Sequence, residues 1–123
     1  MAGPVVTALL SPNPASGIWA PTDNTTETTL ASATAASGTF ILLLDTSTQA
    51  DGDQIQLRAY ASADGTNSRV LDELSLGPAA PSFKMVSYGP FPTPDFIKFT
   101  ALLVAGSTMS RSFAWRVVNL NGA

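Results

Sequence analysis

The sequence predicts an all-β protein: an antiparallel β-sandwich of about seven to eight strands with an extended N-terminal arm. From Thr25 onward, short segments of alternating apolar and polar residues are separated by turn residues, which is typical of sandwiches and barrels. No segment repeats apolar residues at helical spacing over two or more turns. The loops are too short for helical crossovers, so the strands should pair antiparallel, in a jelly-roll or an immunoglobulin-like order.

The N-terminal segment, residues 1–24, is predicted to be an arm outside a sandwich domain of residues 25–123. Its proline content excludes a regular helix and interrupts any strand, yet the segment is too apolar for a disordered tail. It should therefore lie on a surface, either as an edge strand of its own domain or on another chain. The prolines of the arm are Pro4, Pro12, Pro14 and Pro21.

Seven strands are predicted in the sandwich domain. The third is the clearest, because "DQIQLRAYA" alternates between an apolar and a polar face. Asp64-Gly65 supplies the positive φ that a hairpin turn to the next strand needs. Pro90, Pro92 and Pro94 predict a stiff, polyproline-like connector, since they donate no amide protons to a sheet. The predicted strands are Thr26–Thr34, Thr39–Asp45, Asp53–Ala61, Arg69–Leu76, Phe83–Tyr88, Asp95–Val104 and Arg111–Leu120.

The run Phe40–Leu44 is apolar at every position. It is far shorter than the roughly 20 residues that cross a bilayer, so it is predicted to be a central strand. Its odd positions, Ile41 and Leu43, would then point outward while the others face the core. Two adjacent outward aliphatic residues need a cover, which is either the arm or another chain, and we favour another chain.

The composition points to a protein that is packed against copies or partners. Only 12% of residues are charged, about half of the usual share, while 45% are hydrophobic. The net charge of −3 and the scattered basic residues argue against nucleic-acid binding. The absence of Cys and His removes disulfides, thiolate chemistry and the usual general base. The start of the chain does not resemble a signal peptide, so synthesis in a cytoplasm without export by a cleaved signal is expected.

Catalysis and metal binding are not expected. Asp45 could be placed beside Asp53 or Asp72 as a carboxylate pair, but nothing in the sequence selects that arrangement. The "DGD" of Asp51–Asp53 resembles a fragment of a calcium loop without its other ligands, and an ordinary turn is the favoured interpretation. We therefore predict a protein without enzymatic activity, metal or other cofactor.

The aromatic residues suggest two kinds of contact. Phe113 and Trp115 share a strand face and should belong to the core. Trp19 and Phe91 lie among prolines outside the predicted strands, which makes them candidate anchors for a partner. The predicted partner-binding residues are Val5, Val6, Leu9, Leu10, Ile18, Trp19, Ile41, Leu43 and Phe91.

The order of motifs resembles that of small virion proteins that tailed bacteriophages encode among their head genes. The resemblance lies in "TTETTLASATAASGTFILLLDTS", "DGDQIQLRAYA" and "PFPTPDFIKFTALLVAGSTMSRSFAWRVVNL". These segments are similar to the family's threonine-rich strand, "GTF" strand opening, "GD" followed by a hydrophobic-x-Leu-Arg strand, Pro-rich segment and closing strand near "NL". The similarity covers roughly residues 25–120, and the arm is not part of it.

The resemblance implies a β-sandwich that serves as a capsid decoration or cement protein. Such a protein would bind the major capsid protein on the capsid surface of the virion, contact neighbouring copies as a trimer or dimer, and stabilise the shell. Two alternatives stay open: a tail, neck or fibre component, and a receptor- or glycan-binding module, which is suggested by Trp19, Tyr60, Tyr88 and Phe91.

Overall fold

The computed structural model describes residues 15–34, 38–78, 84–93, 96–106 and 112–120. These residues form β-strands and loops, and within these ranges no helix is long and apolar enough to cross a membrane. The strands are β1 Ala15–Trp19, β2 Thr28–Thr34, β3 Gly38–Asp45, β4 Gln54–Ser62, β5 Ser68–Leu76, β6 Met85–Thr93, β7 Phe96–Ala105 and β8 Phe113–Asn119.

The strands form two four-stranded antiparallel sheets. Sheet I has the order β1-β8-β3-β6, and sheet II has the order β2-β7-β4-β5. The first strand pairs with the last, the second with the seventh, the third with the sixth and the fourth with the fifth. This nested pairing is the jelly-roll arrangement. The predicted antiparallel sandwich is confirmed, and its strand order is that of a jelly roll rather than an immunoglobulin domain.

The core lies between the two sheets and follows from the period of two in each strand. In β3, Phe40, Leu42 and Leu44 are fully buried, as predicted, while the residues between them are half-buried on the opposite face. Phe99 of sheet II bridges to sheet I, with its ring centroid 6.2 Å from that of Tyr88. Burying each large apolar side chain contributes roughly 1.5–3 kcal/mol.

Strand β1 extends the sandwich into the predicted arm. Ala15–Trp19 pairs with β8, so that Ile18 lies opposite Ala114 and Trp19 opposite Phe113. The sandwich therefore includes Ala15–Trp19, which lie within the segment predicted to be the arm. The physical reason is that β1 lies between two prolines without containing one, and an edge strand needs a hydrogen-bonding partner on one side only.

Strand β6 corrects the predicted polyproline connector. Pro90 and Pro92 belong to β6, which pairs with β3. The register shifts between Phe40 and Leu42, so the Gly89-Pro90 segment falls at an irregularity opposite that shift. Prolines are compatible with an edge strand because one side of its backbone has no ladder to complete. Pro94 lies outside the described residues.

A buried turn at Asp53 closes one end of the sandwich. The Asp53 side chain accepts a hydrogen bond from the Ala50 amide (3.0 Å), and the Gln49 side chain donates to the Asp53 carbonyl (3.1 Å). A Cβ atom at Gly106, where φ is +117°, would lie 2.1 Å from Asp53 Oδ1. The "DGD" sequence therefore forms a tightly packed structural turn, in which glycine at position 106 permits the close approach.

Candidate interaction surface

The outer face of sheet I carries a set of apolar side chains beside the polar residues Ser16, Asp45 and Arg116. The outward positions alternate with buried ones along β3 and β8, so one strand pattern supplies both a core face and an apolar outer face. Ile18 is 66% exposed, and Met85 and Leu120 are each 55% exposed. We call this surface the sheet I outer face; its apolar side chains are Ile18, Ile41, Leu43, Met85, Ala114, Val118 and Leu120.

A groove of about 490 Å³ crosses one end of this face. Its charged lining residues are Asp45 and Arg116, and Arg116 makes no ion pair with any residue that the structure describes. Hydrogen bonds from the hydroxyl and the backbone amide of Ser47 hold the pKa of Asp45 below its usual range. The full lining is Ser16, Gly17, Ile18, Leu43, Asp45, Met85, Ala114, Trp115 and Arg116.

The outer face of sheet II is organised differently, around Glu27. One carboxylate oxygen of Glu27 accepts hydrogen bonds from Tyr60 and Thr100, both at 2.5 Å. The other accepts from Arg58 at 2.9 Å, and Arg58 also donates to Glu73 at 2.8 Å. These contacts join the segment before β2 to strands β4, β5 and β7. We call this set the Glu27 network.

The Glu27 network sets the ionisation of its central carboxylate. Partial burial acts to raise the pKa of Glu27, but the hydrogen bonds from Thr100 and Tyr60 and the charge of Arg58 outweigh it, so the pKa is lowered. The hydrogen bond to Glu27 raises the pKa of Tyr60. In addition, Lys98 Nζ lies 4.2 Å from the centroid of the Tyr60 ring. The polar groups on this face are thus largely satisfied within the chain.

The structure divides the predicted partner-binding residues into three groups. Ile18, Ile41 and Leu43 lie together on the sheet I outer face, as the alternation in β3 predicted for the last two. The arm residues Val5, Val6, Leu9 and Leu10 lie outside the described residues.

Two predicted anchors are corrected. Trp19 is only 3% exposed and packs on Phe113 with ring centroids 5.1 Å apart, so it is a core residue. Phe91 is half-buried in β6, with its ring 4.9 Å from Tyr88 and 6.0 Å from Phe99. Both were assigned to partner contact because they were placed outside strands. Once β1 and β6 are strands, their side chains face the interior.

The sequence analysis did not single out four residues of the sheet I outer face. The alternation along the predicted strand Arg111–Leu120 places Ala114, Val118 and Leu120 on the face opposite Phe113, which was the available signal for three of them. Met85 lay within the predicted strand Phe83–Tyr88, but no outward face was assigned to that strand, so its place on the outer face was missed. The four residues are Met85, Ala114, Val118 and Leu120.

The carboxylates weighed for catalysis do not converge on one cleft. Asp45 lines the groove of sheet I, Asp53 is buried in its turn, and Asp72 lies on β5 of sheet II. Within the described ranges, no group of three or more acidic residues is placed to hold a metal ion.

The aromatic side chains do not form a stacking platform. Every aromatic side chain that the structure describes is buried or half-buried. Tyr60 is covered by Lys98 and engaged by Glu27, and Tyr88 is 3% exposed in the core. The described aromatic side chains therefore give little support to a glycan-binding site.

No family model, curated protein or solved structure matches the chain.

Proposed function

We propose that this chain is a structural virion protein of a tailed bacteriophage. It acts as a capsid decoration or cement protein, binds the major capsid protein on the outer surface of the shell, and stabilises that shell without catalysing a reaction. The sheet I outer face is its contact surface. The virion assignment rests on the resemblance in the sequence, and the choice of surface rests on the fold.

One observation supports the contact surface above all others. Ile41 and Leu43 face outward from the same central strand; Ile41 lies opposite Val118, Leu43 lies between Ser87 and Arg116, and further aliphatic side chains are exposed on the same sheet. A surface with several exposed aliphatic side chains and few charges is a common mark of a protein interface. A shell offers many repeated sites, so moderate affinity at each one suffices for stable binding.

The jelly roll itself does not select this function. Jelly rolls occur in viral capsid proteins and in lectin domains alike, and a fold does not by itself fix a function. A tail, neck or fibre component would use the same apolar face in a ring. Copy number separates the two: hundreds of copies per particle are expected for a cement protein, and about three to a dozen for a tail or neck part.

The first experiment measures where this chain lies and how many copies each purified particle contains. We expect hundreds of copies in density on the capsid lattice, with the sheet I outer face toward neighbouring protein. A few copies at the tail or neck would contradict the decoration role. Absence of the chain from particles would contradict the virion assignment altogether.

The contribution of the arm is tested with a deletion of residues 2–14. The longer deletion of residues 1–24 would also remove β1 and the buried Trp19, so it would confuse folding with binding. We expect the shorter deletion to lower capsid occupancy and the osmotic resistance of particles while the sandwich stays folded. Unchanged occupancy and resistance would exclude a binding role for the arm.

A further inference from the structure

We propose that Arg116 binds an acidic side chain of the protein that the sheet I outer face contacts. This inference rests on the proposed function, because it takes that face as the contact surface. It goes further by naming the chemistry of the partner at the groove: the carboxylate of an aspartate or glutamate, set among aliphatic side chains. Arg116 then selects the partner, whereas the aliphatic residues around it contribute affinity without selecting a charge.

Arg116 lies on a central strand of sheet I and lines the groove of its outer face. Strand β8 is hydrogen-bonded to β1 on one side and to β3 on the other. The direct neighbours of Arg116 across these ladders are Ser16 and Leu43, and Ile18 and Met85 line the same groove. A side chain on a central strand starts from a fixed backbone position, so less order has to be imposed when a partner binds.

No acidic side chain that the structure describes forms an ion pair with Arg116. Both ion pairs among the described residues belong to Arg58. Asp45 lines the same groove two residues along β3 from Leu43, and such a diagonal position on neighbouring strands lies roughly 7–8 Å away. The Asp45 carboxylate instead accepts a hydrogen bond of 2.8 Å from the Ser47 amide. The donors of the Arg116 guanidinium therefore stay available for a group from a partner.

Arg58 on the opposite sheet is the internal comparison. It lies on the central strand β4 and donates to Glu27 at 2.9 Å and to Glu73 at 2.8 Å. These carboxylates come from its own chain, one from the segment before β2 and one from the neighbouring strand β5. At Arg116, the neighbouring strands supply serine and leucine instead of acids. The carboxylate that Arg58 obtains within the chain is thus left to the partner at Arg116.

The surroundings of Arg116 favour a carboxylate over other anions. One guanidinium offers a planar pair of N–H donors that matches one carboxylate, whereas a nucleic-acid backbone calls for several basic side chains. When a partner covers the groove, the aliphatic side chains exclude water from the pair, which strengthens the electrostatic attraction. Arginine suits a covered position because its guanidinium is more weakly hydrated than an ammonium group.

Asp45 sets a second condition on the partner. Its carboxylate places a negative charge in the same groove as Arg116. A second negative charge beside Asp45 would be repelled, so the partner segment that carries the acid should be neutral or basic where it meets Asp45. The groove therefore selects a partner by the position of its acid as well as by its apolar surface.

The first test measures how tightly the full-length chain binds purified particles that lack it. Arg116→Gln removes the charge and leaves the partner's carboxylate unpaired, so we expect roughly 10- to 100-fold weaker binding. Arg116→Lys keeps the charge but loses the planar pair of donors, so it should bind several-fold more weakly than the wild type. Circular dichroism checks that each variant is folded.

Arg69→Gln is the matched control for this test. Arg69 is an exposed arginine on β5 of sheet II, and among the described residues it donates to the carbonyl of Ser68 and forms no ion pair. Its replacement changes the net charge by the same amount as Arg116→Gln. Binding of Arg69→Gln should therefore equal that of the wild type, which separates a contact at Arg116 from a general effect of charge.

The second test identifies the partner group. A carbodiimide joins an amine to a carboxylate in contact with it as an amide. The amine introduced by Arg116→Lys should therefore become linked to an aspartate or glutamate of the particle protein, and mass spectrometry of the digested product locates both ends of the link. Arg69→Lys is the control and should give no such link.

Binding of Arg116→Gln at the wild-type level would overturn the proposal. So would a link from Arg116→Lys only to Asp45 or Asp95 of its own chain, because the arginine would then have an internal partner. Failure of the wild type to bind particles would contradict the proposed function, and this inference with it. Binding that is weakened by changes at Ile41 and Leu43 but not at Arg116 would contradict this inference alone.

Discussion

The two outer faces of the sandwich differ in the kind of side chain that they present and in the contacts that those side chains make. Sheets I and II each have four strands and share one core, so their inner faces are equivalent. On sheet II, the outward side chains are tied together by the Glu27 network, which satisfies its polar groups within the chain. On sheet I, the outward aliphatic side chains are exposed at Ile18, Met85 and Leu120 and half-buried at Ile41, Leu43 and Val118.

The difference shows where the unusual composition of the chain has its effect. A charged fraction of 12% could have meant a uniformly neutral surface. Instead, a set of charged side chains is concentrated on sheet II around Glu27, whereas exposed large hydrophobic side chains occur on both sheets: Ile18, Met85 and Leu120 on sheet I, and Val70, Leu71 and Val104 on sheet II. Sheet I differs in having a groove and two outward aliphatic residues, Ile41 and Leu43, on a central strand, which makes it the better candidate for protein contact.

The largest expected effect comes from making the sheet I outer face polar. In the double variant Ile41→Thr and Leu43→Thr, we expect assembly to weaken by about 2–4 kcal/mol, or roughly 30- to 1,000-fold. The reason is that the outward parts of these two half-buried side chains no longer make apolar contacts with the partner. The melting temperature should change little. Occupancy on particles and calorimetry of the free protein measure the two effects.

The matched control for this variant lies on the other sheet. Leu102→Thr and Val104→Thr alter a half-buried and an exposed outward residue of β7. Their assembly should stay at the wild-type level. Equal loss of assembly from both double variants, or a lowered melting temperature with normal assembly for the sheet I variant, would contradict the distinction between the faces.

The second effect breaks the Glu27 network. Glu27→Gln removes the negative charge of the carboxylate to which Arg58, Tyr60 and Thr100 donate hydrogen bonds. We expect a loss of about 1–3 kcal/mol in the free energy of unfolding. Assembly per folded chain should be unchanged. Glu73→Gln is the control, because the Glu73 side chain is 46% exposed against 29% for Glu27. The Glu73 carboxylate also accepts hydrogen bonds from fewer side chains than that of Glu27. Denaturant titration with equal losses for both variants would contradict a central role for Glu27.

The third effect is a pH dependence of stability. Because the pKa of Glu27 is lowered in the folded chain, its contribution is fully present above its ordinary pKa of 4.5 and is lost as the pH falls toward the lower folded value. The wild type should therefore lose more stability between neutral pH and acid than Glu27→Gln. Asp23, Asp45 and Asp64 also have lowered pKa values, so only the difference between the two proteins reports Glu27. Parallel pH profiles in thermal melts would refute this assignment.

The smallest effect concerns the cation above Tyr60. Lys98→Gln removes the ammonium that lies 4.2 Å from the ring centroid, and we expect a loss of about 0.5–1 kcal/mol in the free energy of unfolding. Lys84→Gln changes an exposed lysine beside β6 and should have no measurable effect. The same loss from both variants in denaturant titrations would show that the ring contact is not its cause.

The sequence was sufficient where the alternation of residues was regular. The inward residues of β3 and β4 and the two apolar faces of β8 follow directly from a period of two. The outward position of Ile41 and Leu43 followed in the same way. The apolar character of sheet I could therefore be predicted in part before its neighbouring strands were known.

The sequence was insufficient where edge strands contain or adjoin prolines. The prolines that flank Ala15–Trp19, and Pro90 and Pro92 in the second half of β6, argued against strands, but an edge position tolerates them. Because these segments were not predicted as strands, Trp19 and Phe91 were predicted to contact a partner instead of the core. The Glu27 network was equally inaccessible, because Glu27 is 33 residues from Tyr60 and 73 from Thr100, and only the strand order brings them together.

The most direct test of the account is oxidative footprinting of this chain, free and in purified particles. Met85 is 55% exposed at the groove of sheet I, and Leu71 is 49% exposed on β5 of sheet II. We expect assembly to protect Met85 several-fold from hydroxyl radicals while the oxidation of Leu71 is unchanged. Protection of Leu71 with Met85 still fully reactive would contradict the claim that sheet I is the contact surface.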